Sequence, residues 1–278
     1  MYVVGVAGPA DAGRRTLASQ VVSHLAETGR VATVEEHDDS ASTAADRGGA
    51  GVHYALGDSS WSATGDERTL SETLSDLAPA YDYCVLDGFA DAVVPQIRLG
   101  EDALTDETGT STEADSDRLL ATAARAEDVD VPTVCEELTA TDPYECLDSL
   151  VAQVKRSADA EKAGAIATFT GRVRAKEDDE DDFTESLTFE KYEGVAADRM
   201  RVIERELEAR DGVFEVVMHH RTGVIPYGED IVFVVVLAGH RGEAFETVED
   251  GINRLKDEVP IFKKERTTEE SFWVHDRR

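Results

Sequence analysis

The chain has 278 residues, enough for two ordinary domains, with 31% charged side chains and a formal net charge of −31. So acidic a surface repels phosphate backbones and anionic lipids, which excludes nucleic acid and membranes as expected partners. No run approaches the ~18 apolar residues of a membrane span, and the three scattered cysteines, Cys84, Cys135 and Cys146, form no CxxC pair, so a reducing cytoplasm is the expected location. Lysine is scarce, seven against twenty-one arginines. With 59 acidic residues, this fits a protein soluble in high salt, where screening removes self-repulsion.

Taken in order, Tyr2 to Ala7 is a Val-rich run that predicts a strand. The loop Gly8-Pro9-Ala10-Asp11-Ala12-Gly13 follows, then an amphipathic helix over Leu17 to Leu25. Strand, glycine loop and helix are what a phosphate-binding P-loop requires, because backbone N–H groups and a helix N-terminus converge on the anion. The two glycines are in place at Gly8 and Gly13. Arg14 stands where a lysine should reach the terminal phosphates, Arg15 stands where a hydroxyl should hold magnesium, and Thr16 comes one residue late. Strands are predicted at Val31 to Val34 and at Tyr83 to Phe89, the second ending in a carboxylate, Asp87. Between them, Ser40 to Thr69 reads as long surface loops, with Tyr54 and Trp61 as large anchors. His37, beside Glu36, Asp38 and Asp39, reads as part of a solvated loop rather than a magnesium site.

This half resembles the MobB family of P-loop GTP-binding proteins of molybdenum-cofactor biosynthesis. The resemblance rests on the opening strand and loop, Gly29-Arg30-Val31, Asp87-Gly88-Phe89, Val94-Pro95-Gln96-Ile97 and Leu99-Gly100. It implies an α/β P-loop-like domain over 1–104. With both loop positions changed the module is degenerate: Gly8, Gly13, Arg14 and Thr16 are weak candidates for anion binding, and GTP with magnesium is a doubtful ligand.

An acidic linker is expected over 105–135, with its most polar part at Thr105 to Asp117 and a short helix at Arg118 to Ala126. Thr141-Asp142-Pro143 predicts a helix start, with Cys146, Leu147, Leu150, Val151 and Val154 on one stripe as far as Lys155. A strand from Gly164 to Arg174 places Arg172 and Arg174 on one face. The acidic run Glu177 to Asp182 reads as a solvated tip that those arginines could simply offset. Strand Leu187 to Tyr192, helix Val195 to Ala209, and strands Val213 to Arg221 and Ile231 to Ala238 follow. His219 and His220 have no third ligand at metal spacing and read as structural.

After His240-Arg241, the apolar residues Ala244, Phe245, Val248, Ile252 and Leu255 recur at helical spacing, so that pair opens a helix and Lys256 ends it. Three of the seven lysines, Lys256, Lys263 and Lys264, fall within nine residues around Val259-Pro260-Ile261-Phe262. Cations near a partly buried apolar run suit a pocket for an anionic substrate or an amine used in chemistry. They also suit a plain helix end. A last strand is predicted at Ser271 to Val274.

Together these motifs resemble the large, catalytic subunit of molybdopterin synthase, the MoaE family. The resemblance rests on Gly164-Ala165, Phe169-Thr170-Gly171-Arg172-Val173-Arg174, Leu187 to Tyr192, His220-Arg221-Thr222-Gly223, Gly228-Glu229, His240 to Phe245, Leu255-Lys256, Val259 to Glu265 and Trp273-Val274. It implies an α+β domain with a largely antiparallel sheet over 136–278. It also implies sulfur transfer from the thiocarboxylated tail of a MoaD-type ubiquitin-like carrier to cyclic pyranopterin monophosphate, with no cofactor required and no metal. By the same resemblance Lys256 and Lys263 are the catalytic lysines. His240, Arg241 and Arg174 hold phosphate and pterin, Phe169 and Ile252 line the pocket, and Lys264 and Arg172 are further substrate contacts. Each pocket draws on two protomers, a homodimer within a heterotetramer. Ile252 replaces a methionine of some relatives, and Phe262 a common tryptophan. Two other functions are weighed: a GTP-binding adaptor in cofactor handling, and a docking platform whose lysines become isopeptide-linked to ubiquitin-like proteins.

Overall fold

The computed structural model describes residues 1–36, 51–101, 118–176, 181–191, 194–267 and 271–274, the last four by backbone alone. His37, the polar stretch 105–117 and residues 177–180 of the acidic tip lie outside the described residues. The chain divides into two units, Met1–Glu145 and Cys146–Arg278.

The first unit is a parallel sheet. Its strands are β1 (Tyr2–Ala7), β2 (Val31–Glu35), β5 (Tyr83–Asp87), β6 (Gln96–Leu99) and β7 (Leu119–Ala123), in the order β2-β5-β1-β6-β7. Helices α1 (Arg14–Leu25), α2 (Leu70–Leu77) and α3 (Val131–Thr139) complete it. β1 is buried from Val3 to Ala7, as expected of a central parallel strand. Its Val4 and Val6 share a core with Leu17, Val21, Val85, Ile97 and Leu138. The structure corrects three expectations here. The segment after residue 117, expected as linker, belongs to this unit: Leu119–Ala123 is an edge strand, not a helix, and Val131–Thr139 supplies Val134, Cys135 and Leu138 to the core. The Leu-Leu-Ala-Thr-Ala run has helical propensity, but pairing with β6 overrides it. Within the expected loops, Val52–Leu56 (β3) and Trp61–Gly65 (β4) pair as a hairpin.

The second unit has two antiparallel sheets. Its elements are α4 (Leu147–Val154), β8 (Ala165–Arg172), β9 (Thr184–Lys191), α5 (Val195–Glu208), β10 (Val213–His220), β11 (Gly223–Pro226), β12 (Asp230–Ala238), α6 (Arg241–Glu258), β13 (Ile261–Thr267) and β14 (Ser271–Val274). The sheets run β10-β12-β8 and β11-β9-β13-β14. α4 begins at Leu147 instead of Asp142, because the Cys146 N–H donates to Ser149 Oγ (3.0 Å) and fixes the first turn there.

β12 is buried throughout from Ile231 to Ala238. Val232, Val234 and Val236 join the core under α5 and α6, while Phe233, Val235 and Leu237 pack with Leu150 and Val154 of α4. Hence the uninterrupted apolar run in an antiparallel strand: both faces are covered. Gly251 lets α6 lie close on this sheet, since a Cβ there would stand 3.0 Å from Val234 Cγ1 and 3.1 Å from Met218 Cε. On the outer edge of β10, the Val216 and Met218 N–H groups donate to the carboxylates of Glu208 (3.0 Å) and Glu204 (2.7 Å). Side chains of α5 thereby cap a strand edge that would otherwise stand open.

His220 is buried at 8% exposure, its Nδ1 lies 2.7 Å from the Arg221 carbonyl oxygen, and its ring meets Phe189 of the other sheet edge-on at 4.8 Å. Burial pushes its pKa down to about 4, against the opposing pull of the Arg221 carbonyl.

Two outcomes follow for stability. Phe233→Ala removes a side chain packed on α4 and should cost about 3–5 kcal/mol, read from the denaturant midpoint followed by circular dichroism. Because the folded pKa of His220 lies below its ordinary 6.5, its neutral form stabilises the fold above that pH, and this contribution is lost as pH falls toward about 4. The stability gap between wild type and His220→Gln should therefore narrow by roughly 2–3 kcal/mol between pH 7 and pH 4, in urea titrations at one salt concentration.

Candidate functional site

Helix α6 decides which cations can meet. His240 is its N-cap, with extended backbone (φ −137°, ψ 164°) and no side-chain capping bond, and Arg241 is its first residue. Both are exposed, at the end where the helix dipole favours anions. Lys256 is in the last turn, sixteen residues on, so it sits about 24 Å from His240 along the axis. Val259 then stops the helix, held by its N–H to the Leu255 carbonyl (3.1 Å) and by burial at 6% exposure. The chain turns directly into β13, so Lys263 returns near the Lys256 end.

The strands sort the arginines in the same way. α6 doubles back over β12 and β8, and the β8–β12 register pairs Arg172 with Asp230 and Ala165 with Ala238. Arg172 and the exposed Arg174 therefore lie toward the Lys256 end of the sheet, and His240-Arg241 toward the other. Arg172 is partly committed already, donating to the Gly228 carbonyl at 2.7 Å.

On the sheet carrying β13, Lys263 stands opposite Phe189 and shares its core-side face, whereas Lys264 stands opposite Thr188 on the reverse face. Lys263 is half-buried and Lys256 exposed. Among the described residues no carboxylate pairs with either, in a chain of 59 acidic side chains. Carboxylates nearby are claimed by arginines: Glu258 accepts from Arg254 (2.8 Å) and from Arg199, and Glu206 accepts from Arg254. Those bonds hold the Glu258 carboxyl below the usual range, Arg254 leading, so at neutral pH its charge is directed at Arg254. Phe169 is half-buried on β8 against the core. Ile252, at 6% exposure, packs inside that core on the sheet-facing side of α6.

The glycine loop of the first unit is also altered in space. Gly8 (φ +128°) packs so tightly that a Cβ would stand 2.3 Å from the Leu99 carbonyl oxygen, and Gly13 (φ +91°) would carry one 2.9 Å from Ala126 Cβ. Both glycines thus have structural reasons to be glycine. Arg14 Nε lies 2.6 Å from Asp87 Oδ1, a charge contact whose N–H direction misses the oxygen, and Arg15 pairs with Glu35. The cation and the carboxylate that a nucleotide would need face each other instead. Thr16 is exposed on a groove between α1 and residues 126–132.

Among known proteins, a family model described as "MoaE protein" matches residues 143–258, which takes in Arg172, Arg174, His240, Arg241 and Lys256 and ends before Lys263. A protein named probable molybdopterin synthase from Haloferax volcanii is 50% identical over 278 residues, all of this chain and all of that one. A molybdopterin synthase catalytic subunit from Pasteurella multocida is 35% identical over 114 residues, 41% of this chain and 75% of that one. A solved MobB protein homolog from Bacillus stearothermophilus aligns with 51% of this chain and 100% of its own, at 19% identity and a TM-score of 0.38. With a full-length relative at 50% identity and a MoaE match from α4 to α6 of the second unit, the chain belongs to the molybdopterin synthase family.

Proposed function

We propose that this chain is the large subunit of a molybdopterin synthase, transferring sulfur from the thiocarboxylated C-terminus of a MoaD-type ubiquitin-like carrier to cyclic pyranopterin monophosphate. The observation that carries this reading is the pair Lys256 and Lys263, brought to one end of α6 by the Val259 turn and left unpaired by carboxylates among the described residues. Both reactants are anions. An acidic protein must offer them concentrated positive charge, and an ammonium in a partly desolvated site stabilises negative charge that develops during reaction. Lys256 and Lys263 are assigned to the reacting centre, Arg174, Arg172 and Lys264 to the substrate's charged edge, and Phe169 to an apolar wall.

His240 and Arg241 belong to the same chemistry only if a second copy supplies them. A rigid helix keeps them about 24 Å from Lys256 within one chain, and a two-fold dimer would bring the N-terminal end of one α6 to the C-terminal end of another. The assembly is thus proposed as a homodimer with one carrier docked on each subunit. The first unit is taken as a MobB-like module that does not turn over nucleotide, since Arg14 and Asp87 neutralise each other.

Three measurements test this. With thiocarboxylated carrier and pterin precursor, Lys256→Ala should lower product formation by about 10²–10³-fold; full activity would refute the assignment. Co-refolding equal amounts of inactive His240→Ala and inactive Lys256→Ala should restore about a quarter of wild-type activity, because half of the random dimers carry one intact site of two. No recovery would mean that each chain builds its own site. Calorimetric titration with GTP and magnesium should give no saturable micromolar binding; tight binding would revive the adaptor reading.

A further inference from the structure

We propose that Lys191 is a further amine of the sulfur-transfer site, closing with Lys263 on one oxyanion group of a reactant. The inference rests on the synthase reading and adds a residue to it. In the β9–β13 register, Phe189 stands opposite Lys263 and Lys191 opposite Ile261. Lys191 and Lys263 are therefore diagonal neighbours on one face, with Cβ atoms about 7–8 Å apart, within reach of two long flexible stems. Both are half-buried.

A second observation puts the Lys191 charge on that side of the sheet. Its field adds to the depression of the His220 pKa, and the His220 ring lies 4.8 Å from Phe189, the residue that faces Lys263. His220, neutral and with Nδ1 turned to the Arg221 carbonyl, adds no positive charge of its own at neutral pH. Two ammonium groups carried on neighbouring positions of one half-buried face add their fields at an anion placed between them. The chemistry suits a phosphate monoester or a thiocarboxylate equally. The source is thus either the pterin's phosphate or the carrier's tail.

The test is steady-state kinetics on the full chain, varying each reactant in turn, for Lys191→Ala, Lys191→Arg and Lys256→Ala. Anisotropy titration adds a direct binding readout, with a labelled carrier ending in a plain Gly-Gly carboxylate. Lys191→Ala should raise KM about tenfold for one reactant and leave kcat within about twofold, with Lys191→Arg restoring most of the loss. A KM shift for the carrier, matched by weaker anisotropy binding, assigns the pair to the tail; a shift for the pterin alone assigns it to the phosphate. Should Lys191→Ala lower Tm, Lys191→Met keeps the stem and removes only the charge. Wild-type KM for both reactants in Lys191→Met would overturn the proposal. An inactive Lys256→Ala beside it would leave the synthase reading intact, whereas an active one would remove that reading as well.

Discussion

A straight helix of 18 residues cannot bring its own ends together, and that rigidity governs how this protein can assemble a cationic site. The amines at one end of α6 and the imidazole–guanidinium pair at the other are separated by the same backbone hydrogen bonds that define the helix. Packing keeps the rod fixed. β12 is buried on both faces, Gly251 allows α6 to settle against Val234 and Met218, and the Arg199–Glu258 and Arg254–Glu206 pairs tie it to α5. A hinge in α6 would have to break that contact surface, so in the proposed reading the two ends meet only across a two-fold axis.

Electrostatics reinforces the same division. In a chain with a net charge of −31, a cation used for function is at constant risk of capture by a neighbouring carboxylate. Arginine, with its fork of donors, satisfies the carboxylates around α5 and α6: Arg199 and Arg254 take Glu258, and Arg210 takes Asp250. That leaves Lys256 and Lys263 outside these pairs. The sparing use of lysine has a structural counterpart here: around α5 and α6 the ion pairs with carboxylates are made by arginines.

Much of this could be seen in the chain before folding, and what could not has identifiable causes. The β12 run, the α6 stripe from Ala244 to Leu255, and the position of His240 and Lys256 at its two ends follow from period and capping alone. The sequence could not disclose which face of β13 carries Lys263 rather than Lys264, because that depends on the register against β9, a long-range property. Lys191 was hidden for the same reason: nothing local links it to a residue more than seventy positions away. For Ile252 the stripe gives only the inward face, since it does not distinguish a core from a pocket wall. Leu119–Ala123 and Val131–Thr139 failed differently. Short elements next to an acidic stretch carry weak local signals, and their place in the first unit is fixed by β6 and α1.

The glycine loop shows how packing alone can call for the glycines of a motif. Gly8 and Gly13 are required by the fold itself, since any side chain would strike the Leu99 carbonyl or Ala126. Packing alone therefore calls for both glycines and for the strand–loop–helix shape, whatever the loop binds. Beside these glycines, Arg14 and Asp87 set opposite charges against each other. Backbone pattern therefore reports how this unit packs, while the side chains at Arg14, Arg15 and Asp87 report how its charges are paired.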